Sequence, residues 1–423
     1  MTKTSGTAGS LRRDLTLIDA VGIGFGAVIG AGVYVVTGIA AGIAGPALLL
    51  ALLMAGAVAA ANALSSAQLA ARYPASGGSY EYGYQLLGPW PGFVAGWMFL
   101  ASKIAAAGTV AIGLGSYVEL LIPQLDPPWI ATVSVVLFTI LNYFGIRKSS
   151  RLNLFIVALS TGALLLLVAA GLPHIERQSF SPFLAYGWRS LFEASALIFF
   201  AYTGYARIAT LGEEVSNPRR TIPRAILITI GGAIAIYIAV AAVAVGTVGA
   251  PALSSSGAPL GVVARAVGPA WLATALPVGA LAAMLGVILS QLLGLSRMAF
   301  AMARRDDLPA PLATIHPRHH VPSIAVLVIG AIATIVAATG SLRGVASAAA
   351  FMILVYYGIT NVAALRLTKQ TRMYSPIVPA FGLFGCVVLA LSLPLRTIAT
   401  GIAILAAGAL FRLLFRRAFA RKG

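Results

Sequence analysis

Between Asp19 and Glu81 the chain carries one charged residue, Arg72. A stretch of that length with one charge cannot cover a water-facing surface, so protein or lipid must surround it. The pattern recurs to the C-terminal end. Apolar runs lie at 15–41, 46–71, 90–122, 128–145, 152–172, 188–211, 222–249, 270–303, 321–339, 344–366, 377–394 and 396–416. Each is long enough for a membrane helix of about 20 residues. Composition agrees: 59% of the 423 residues are hydrophobic and 9% charged, against roughly 25% charged in soluble domains. The first run is too long for a signal peptide, and no small-residue cleavage site follows it. A lone cysteine, Cys386, excludes a disulfide within the chain.

The formal charge of +18 would suit nucleic acid if it were clustered, but it is distributed by side. With the N-terminus inside and the runs alternating, 22 Lys and Arg fall inside and five outside (Arg177, Arg189, Arg265, Arg343 and Arg396). Positive residues favour the cytoplasmic side. This predicts a multi-pass protein of the inner or plasma membrane with twelve spans and both termini cytoplasmic. The partners expected are membrane lipid, anionic lipid included, and no nucleic acid.

The stretch GIGFGAVIGAGVY (Gly22–Tyr34) begins with a match to G-x-G-x-x-G/A. A dinucleotide loop needs a preceding strand and an acidic residue about 20 positions on, and this stretch has neither. The glycines instead weaken a helix in mid-membrane. Gly30-Ala31-Gly32 stand at the middle of the first run, and Thr203-Gly204, flanked by Tyr202 and Tyr205, at the middle of the sixth. Interrupted helices at corresponding positions of two halves mark the substrate site of many transporters. Broken backbone survives in hydrocarbon only where it lines a polar cavity. N–H groups at the restart of the first helix favour a carboxylate. Carbonyls near Phe200–Tyr202 favour an ammonium. The alternative is close helix packing, which small residues also permit; Gly22, Gly24 and Gly26 fit that role.

DAVGIGFGAVIGAGVYV, FFAYTGYARIATLGEEVSNPRRTIPRAI and SQLLGLSRMAFAMARRDDLPAPLATIHPRHHVP resemble the amino acid–polyamine–organocation superfamily of permeases. The resemblance covers nearly the whole chain. It implies an all-α integral membrane fold of twelve helices, with a leucine-transporter-type 5+5 inverted repeat and broken helices 1 and 6. The expected division is a cytoplasmic N-terminus at 1–14, repeats at 15–172 and 188–366, helices 11 and 12 at 375–416, and a cytoplasmic tail at 417–423. It also implies alternating access, with Ile29, Gly30, Ala31 and Gly32 meeting the substrate carboxylate. Phe200, Tyr202, Thr203 and Gly204 would meet the amino group and side chain, and Tyr202 would serve as a gate. Asp19, Glu213 and Glu214 match the family pattern; the two glutamates are expected to organise the cytoplasmic end. Relatives often carry a lysine seven residues after the asparagine of Arg-x-Asn, and here Arg151-Leu152-Asn153 is followed by Ser160. The matching residue of the eighth span is Ser290. Proton coupling, sodium coupling and uncoupled exchange or facilitation all stay open.

Lys103 and Arg207 fall inside the third and sixth spans. Intramembrane charges face a bundle interior or a wet cavity and mark function. Lysine can carry a proton or pair with a carboxylate; arginine stays charged. If both face the cavity, the cargo is a neutral or acidic amino acid. Snorkelling and structural ion pairing are the alternatives. Glu81, in the loop at 73–84, is a further gate candidate, and 251–271 is expected to form an external lid. His316, His319 and His320 lack an acid or thiol to complete a metal site. No cofactor is called for, and no nucleophile–base set or catalytic carboxylate pair is present, so the chain reads as a permease and not an enzyme. An ion channel or cotransporter on the same fold, and a sensor that binds an amino acid without moving it, are the rival classes.

Overall fold

A computed structural model describes residues 15–73, 77–145, 150–209 and 215–420. In chain order the helices are α1 (Leu17–Val28), α2 (Thr37–Ala44), α3 (Leu48–Arg72), α4 (Ser79–Leu87), α5 (Pro89–Leu121), α6 (Pro127–Tyr143), α7 (Ser150–Gly171) and α8 (Gly187–Tyr202). They continue as α9 (Ala206–Ala209), α10 (Pro218–Ser254), α11 (Pro259–Val267), α12 (Leu272–Ala303), α13 (Ser323–Thr339), α14 (Leu342–Leu365), α15 (Ile377–Ser392) and α16 (Leu395–Ala420). Among the described residues, the one non-helical pairing is a parallel bridge between Leu15 and Val215.

Among the described residues, seven stretches are long and apolar enough to cross a membrane: Leu17–Arg72, Pro89–Leu121, Arg151–His174, Arg220–Ser254, Leu272–Ala303, Leu342–Leu365 and Leu395–Phe415. Three shorter apolar helices accompany them: Pro127–Tyr143, Ser323–Thr339 and Ile377–Ser392. Large apolar side chains such as Phe155, Ile335, Phe384 and Leu391 stand on the outer surface. That is the expected face of a protein solvated by lipid.

Local chemistry explains several boundaries. α1 starts at a capping box, in which Thr16 Oγ1 accepts from Asp19 N–H at 3.3 Å and the Asp19 carboxylate accepts from Thr16 N–H at 2.9 Å. This gives Asp19 a structural role. α6 is capped by Asp126, which accepts from Trp129 N–H at 3.3 Å. α10 bends where Gly249 takes φ +75°, two residues before Pro251.

The helices pack in two groups. α1, α3, α8 and α10 pack on one another, as do α5, α6, α12 and α13; α7 and α14 touch members of both. α15 lies against α14 and α3, and α16 against α14 and α5. Asn62 of α3, Asn361 of α14 and Cys386 of α15 meet in a buried polar cluster that holds this side together.

At one end of the bundle, α4 is held by a charged network. Glu81 pairs with Arg305 at 2.5 Å, and Arg305 lies over the rings of Tyr80 and Tyr84. Burial works against the Arg305 charge, but the Glu81 carboxylate outweighs it and raises the guanidinium pKa above its ordinary value. Burial, and then the Asp307 carboxylate, raise the Tyr80 phenol pKa, so it remains a donor. Tyr80 donates to Asp307 at 2.9 Å, and Tyr84 donates to the same carboxylate. Arg412 of α16 pairs with Asp307 at 3.1 Å, donates to the Pro89 carbonyl at 2.6 Å and lies over Trp90 and Phe93. Sequence counting groups Arg412 with the basic residues of one membrane face, yet its side chain is 1% exposed.

Removing one partner of a buried pair strands the other charge, at about 3–5 kcal/mol. Arg412→Met is therefore expected to lower the thermal unfolding midpoint in detergent by more than the double variant Arg412→Met, Asp307→Asn. A double variant at least as damaged as the single would show that the pair is not the stabilising element.

Candidate substrate site at the broken helices

The first interruption follows Val28. Ile29 leaves helical geometry at φ −75°, ψ 106°, and the chain resumes through a wide turn at Gly32–Val36 that runs into α2. The N–H groups of Gly30, Ala31 and Gly32 thus stand at the start of a new helical segment, where no carbonyl lies four residues back in register. Ile29 itself donates to Phe25 at 2.8 Å, and Tyr34 N–H to the Gly30 carbonyl at 3.2 Å.

The second interruption is tighter than a full unwinding. α8 ends at Tyr202, Thr203–Tyr205 form one 3-10 turn, and α9 follows. Its carbonyls are largely taken. The Phe200 carbonyl accepts from Thr203 N–H and from Thr203 Oγ1, the latter at 2.9 Å. The Ala201 carbonyl accepts from Tyr237 Oη at 3.3 Å.

Glycine brings the two interruptions into contact. A Cβ on Gly204 would overlap the carbonyl of Ala27, and one on Gly32 would come within 2.5 Å of the Ala201 Cβ. Each break therefore seats its glycine on the backbone of the other. Tyr237 of α10 bridges them, donating to Val28 O at 2.8 Å as well as to Ala201 O. Beyond the first break, Tyr117 donates to the Tyr34 carbonyl and Tyr34 to the Ser160 carbonyl, both at 2.8 Å. α11 and its approach cover this region: a Cβ on Gly38 would meet Pro259 and the Leu253 carbonyl.

Both intramembrane cations reach the breaks. Lys103 keeps accessible surface between buried Ser102 and Ile104, and its Nζ donates to Thr203 Oγ1 at 3.2 Å. Because the Thr203 hydroxyl donates its own proton to Phe200, it receives the lysine proton as an acceptor. Arg207 donates to the Ser290 carbonyl at 2.9 Å and lies against Gly294. The two serines are turned to their own helices: Ser160 Oγ bonds Val157 O at 3.2 Å and Ser290 Oγ bonds Val287 O at 3.1 Å.

Other sequence candidates lie as follows. Ile29, Gly30, Ala31 and Gly32 are all buried at the first break. Phe200 is buried one turn before the second. Tyr202 turns toward α3 and α10, its hydroxyl donating to Leu52 O at 3.3 Å and its ring 5.1 Å from that of Tyr237. Glu81 stands in the α4 network, away from the breaks. Glu213 and Glu214 lie outside the described residues. Sequence inspection missed Tyr237, Tyr34 and Tyr117, single tyrosines in apolar runs with nothing in their spacing to distinguish them. An apolar groove of about 370 Å³ between α14 and α15, lined by residues such as Leu354, Ile359, Cys386 and Val387, has no polar group to hold a zwitterion.

The chain matches the family profile described as amino acid permease over residues 15–414. It is 44% identical to an uncharacterized transporter of Mycobacterium tuberculosis, over 94% of this chain and 90% of that protein. It is 28% identical to a branched-chain amino acid permease of Bacillus subtilis, over 96% and 94% of the two chains. With a methylthioribose transporter of the same bacterium it shares 29% identity, over 96% and 94%.

Tyr237→Phe leaves two buried carbonyls short of a donor and is expected to cost about 1–3 kcal/mol, read as a lower unfolding midpoint. Gly204→Ala forces the breaks apart and should abolish transport. Gly162→Ala, at a position with nothing within 4 Å of the added carbon, should be silent. Equal effects of the two glycine variants would refute the contact.

Proposed function

This chain belongs to the amino acid permease family, and we propose that it carries a neutral or acidic amino acid across the membrane by alternating access. It is a multi-pass integral membrane transporter and not an enzyme. The cargo is the finer question, since relatives of similar identity are named for branched-chain amino acids and for methylthioribose.

The observation that carries the proposal is the meeting of two interrupted helices, with the Gly30–Gly32 N–H groups at the restart of the first and Lys103 and Arg207 beside the second. The cargo carboxylate takes those N–H groups, and its amino group takes the carbonyl side of the Thr203–Tyr205 turn near Tyr202. Thr203 and Gly204 shape the floor. The packing supports a repeat: counted as spans, 1, 2, 6 and 7 share one group, 3, 4, 8 and 9 the other, and 5 and 10 bridge. That is the order expected of halves at 15–172 and 188–366, with helices 11 and 12 added and twelve spans in all. The first group rocks against the second around the fixed site. The basic bias places both termini, 1–14 and 417–423, and the Glu81–Arg305 pair on the cytoplasmic side of the inner or plasma membrane. There Glu81 acts in the inner gate, with anionic lipid against the basic tail.

Of the coupling candidates, Ser160 and Ser290 give their hydroxyl protons to their own helices, and a neutral serine does not relay a proton by titration. Arg207 cannot release a proton. Lys103 is left as the residue through which a proton gradient acts.

The test is uptake of labelled amino acids into proteoliposomes, with and without an inward proton gradient. Accumulation above equilibrium under the gradient is expected. Uptake that ignores the gradient would replace proton coupling by exchange. Absence of uptake for every amino acid would overturn the cargo class.

A further inference from the structure

The hydrogen-bonding groups around the breaks are unevenly matched. Val28 and Ala201 carbonyls are taken by Tyr237, and the Phe200 carbonyl by Thr203. The groups on the other side are donors: the N–H groups of Gly30–Gly32, at the start of a helical segment, and the ammonium of Lys103, whose partner is the Thr203 hydroxyl. One carboxylate, the one every amino acid carries, meets the N–H groups. It leaves Lys103 with a neutral hydroxyl at 3.2 Å as its recorded partner.

The chain's own acids do not supply a counter-charge among the described residues. Glu81, Glu193 and Asp307 pair with Arg305, Arg343 and Arg412. Asp19 caps α1, Asp126 caps α6, Glu176 holds the Gln178 amide, and Asp306 is exposed beyond the end of α12. Glu119 lies sixteen residues further along α5, roughly 24 Å away at 1.5 Å per residue. A charge inside a membrane protein with only a neutral partner calls for a counter-ion.

We propose that Lys103 and Thr203 form a side-chain subsite for a second carboxylate, so that the preferred cargo is an acidic amino acid. The inference rests on the reading that an amino acid binds at the breaks, and it narrows that reading to one substrate class. Lys103 Nζ stands at the second break, held by the hydroxyl that also bonds the Phe200 carbonyl, so a carboxylate bound to it lies beside the interrupted backbone. Thr203 accepts from Lys103 while donating to Phe200, so the ammonium is aimed by a hydroxyl whose own proton is fixed. A fixed ammonium at this position disfavours a cargo with a cationic side chain.

The test uses isosteric pairs, glutamate against glutamine and aspartate against asparagine, competing for uptake into proteoliposomes of the full chain. The native protein is expected to prefer one acid over its amide by about tenfold or more, the worth of a hydrogen bond to a charged group. Lys103→Met should collapse that ratio and Lys103→Arg should retain part of it. Thr203→Val, which keeps the ammonium and removes the hydroxyl that aims it, should lower the ratio as well. It carries the test if Lys103→Met fails to fold, as judged by its unfolding midpoint. A native chain that takes amides as well as acids overturns the proposal and leaves the amino acid reading intact. So does a Lys103→Met protein that keeps the acid preference. If no amino acid is taken up or shifts the unfolding midpoint, both fall together.

Discussion

An interrupted helix in hydrocarbon exposes backbone polar groups that water cannot reach, and every such group left unmatched is costly. The bridge from the Tyr237 hydroxyl to the carbonyls of Val28 and Ala201 answers that cost for both interruptions at once. It also fixes them relative to each other. Gly204 against the Ala27 backbone and Gly32 against Ala201 bring the two chains close enough for one hydroxyl to reach both. A side chain at either glycine would widen the gap and strand the carbonyls. The close approach and the hydroxyl bridge are one device.

That device has an electrostatic consequence. It satisfies the acceptor ends of the breaks from within the protein and leaves the donor ends facing the gap. A pair of broken helices considered alone is balanced, N–H groups on one side and carbonyls on the other, and suits any zwitterion. With Tyr237 and Thr203 in place the balance shifts to positive, and Lys103 pushes it further. The character of the site is set as much by the groups that cap the backbone as by the backbone itself.

The breaks were legible in the sequence because glycine and threonine in mid-span contradict their surroundings. Gly30–Gly32 and Thr203–Gly204 stand where an uninterrupted helix would carry larger apolar residues. The charges Lys103 and Arg207 were legible for the same reason. What the sequence hid were residues whose role depends on direction alone. Tyr237 lies in a run of isoleucine, alanine and valine and looks like any buried aromatic. Tyr202, expected at the cargo, turns to Leu52 because its position on the last turn of α8 points it at α3 and α10. Arg412 was legible as a charge but not as a buried one. Its partner Asp307 is more than a hundred residues earlier, and nothing local links them. The turn expected between the runs ending at 41 and starting at 46 falls at Gly45, whose φ is positive before Pro46, inside a stretch from Leu17 to Arg72 that is continuous in hydropathy.

The placement of α4 bears on how the two helix groups move. It is tied to the end of α12 by Glu81–Arg305 and by Tyr80 and Tyr84 on Asp307. Ser79 accepts from Thr360 of α14 at 2.7 Å, and Arg412 of α16 closes the network from the other side. These contacts make α4 part of the body that contains α5 and α12. Its chain neighbour α3 packs in the other body, with α8 and α10. Gly77 and Gly78 lead into α4 with φ of +139° and +54°, and an added Cβ on Gly78 would meet nothing within 4 Å. Glycine reaches such angles without strain, and the turn lets Tyr82 of α4 pack with Leu69 and Ala70 at the end of α3 and with Ala363 and Ala364 of α14. That apolar cluster and the charged network together tie the end of α3 to α4, α12 and α14, so this end of the bundle is the firmest junction between the two groups.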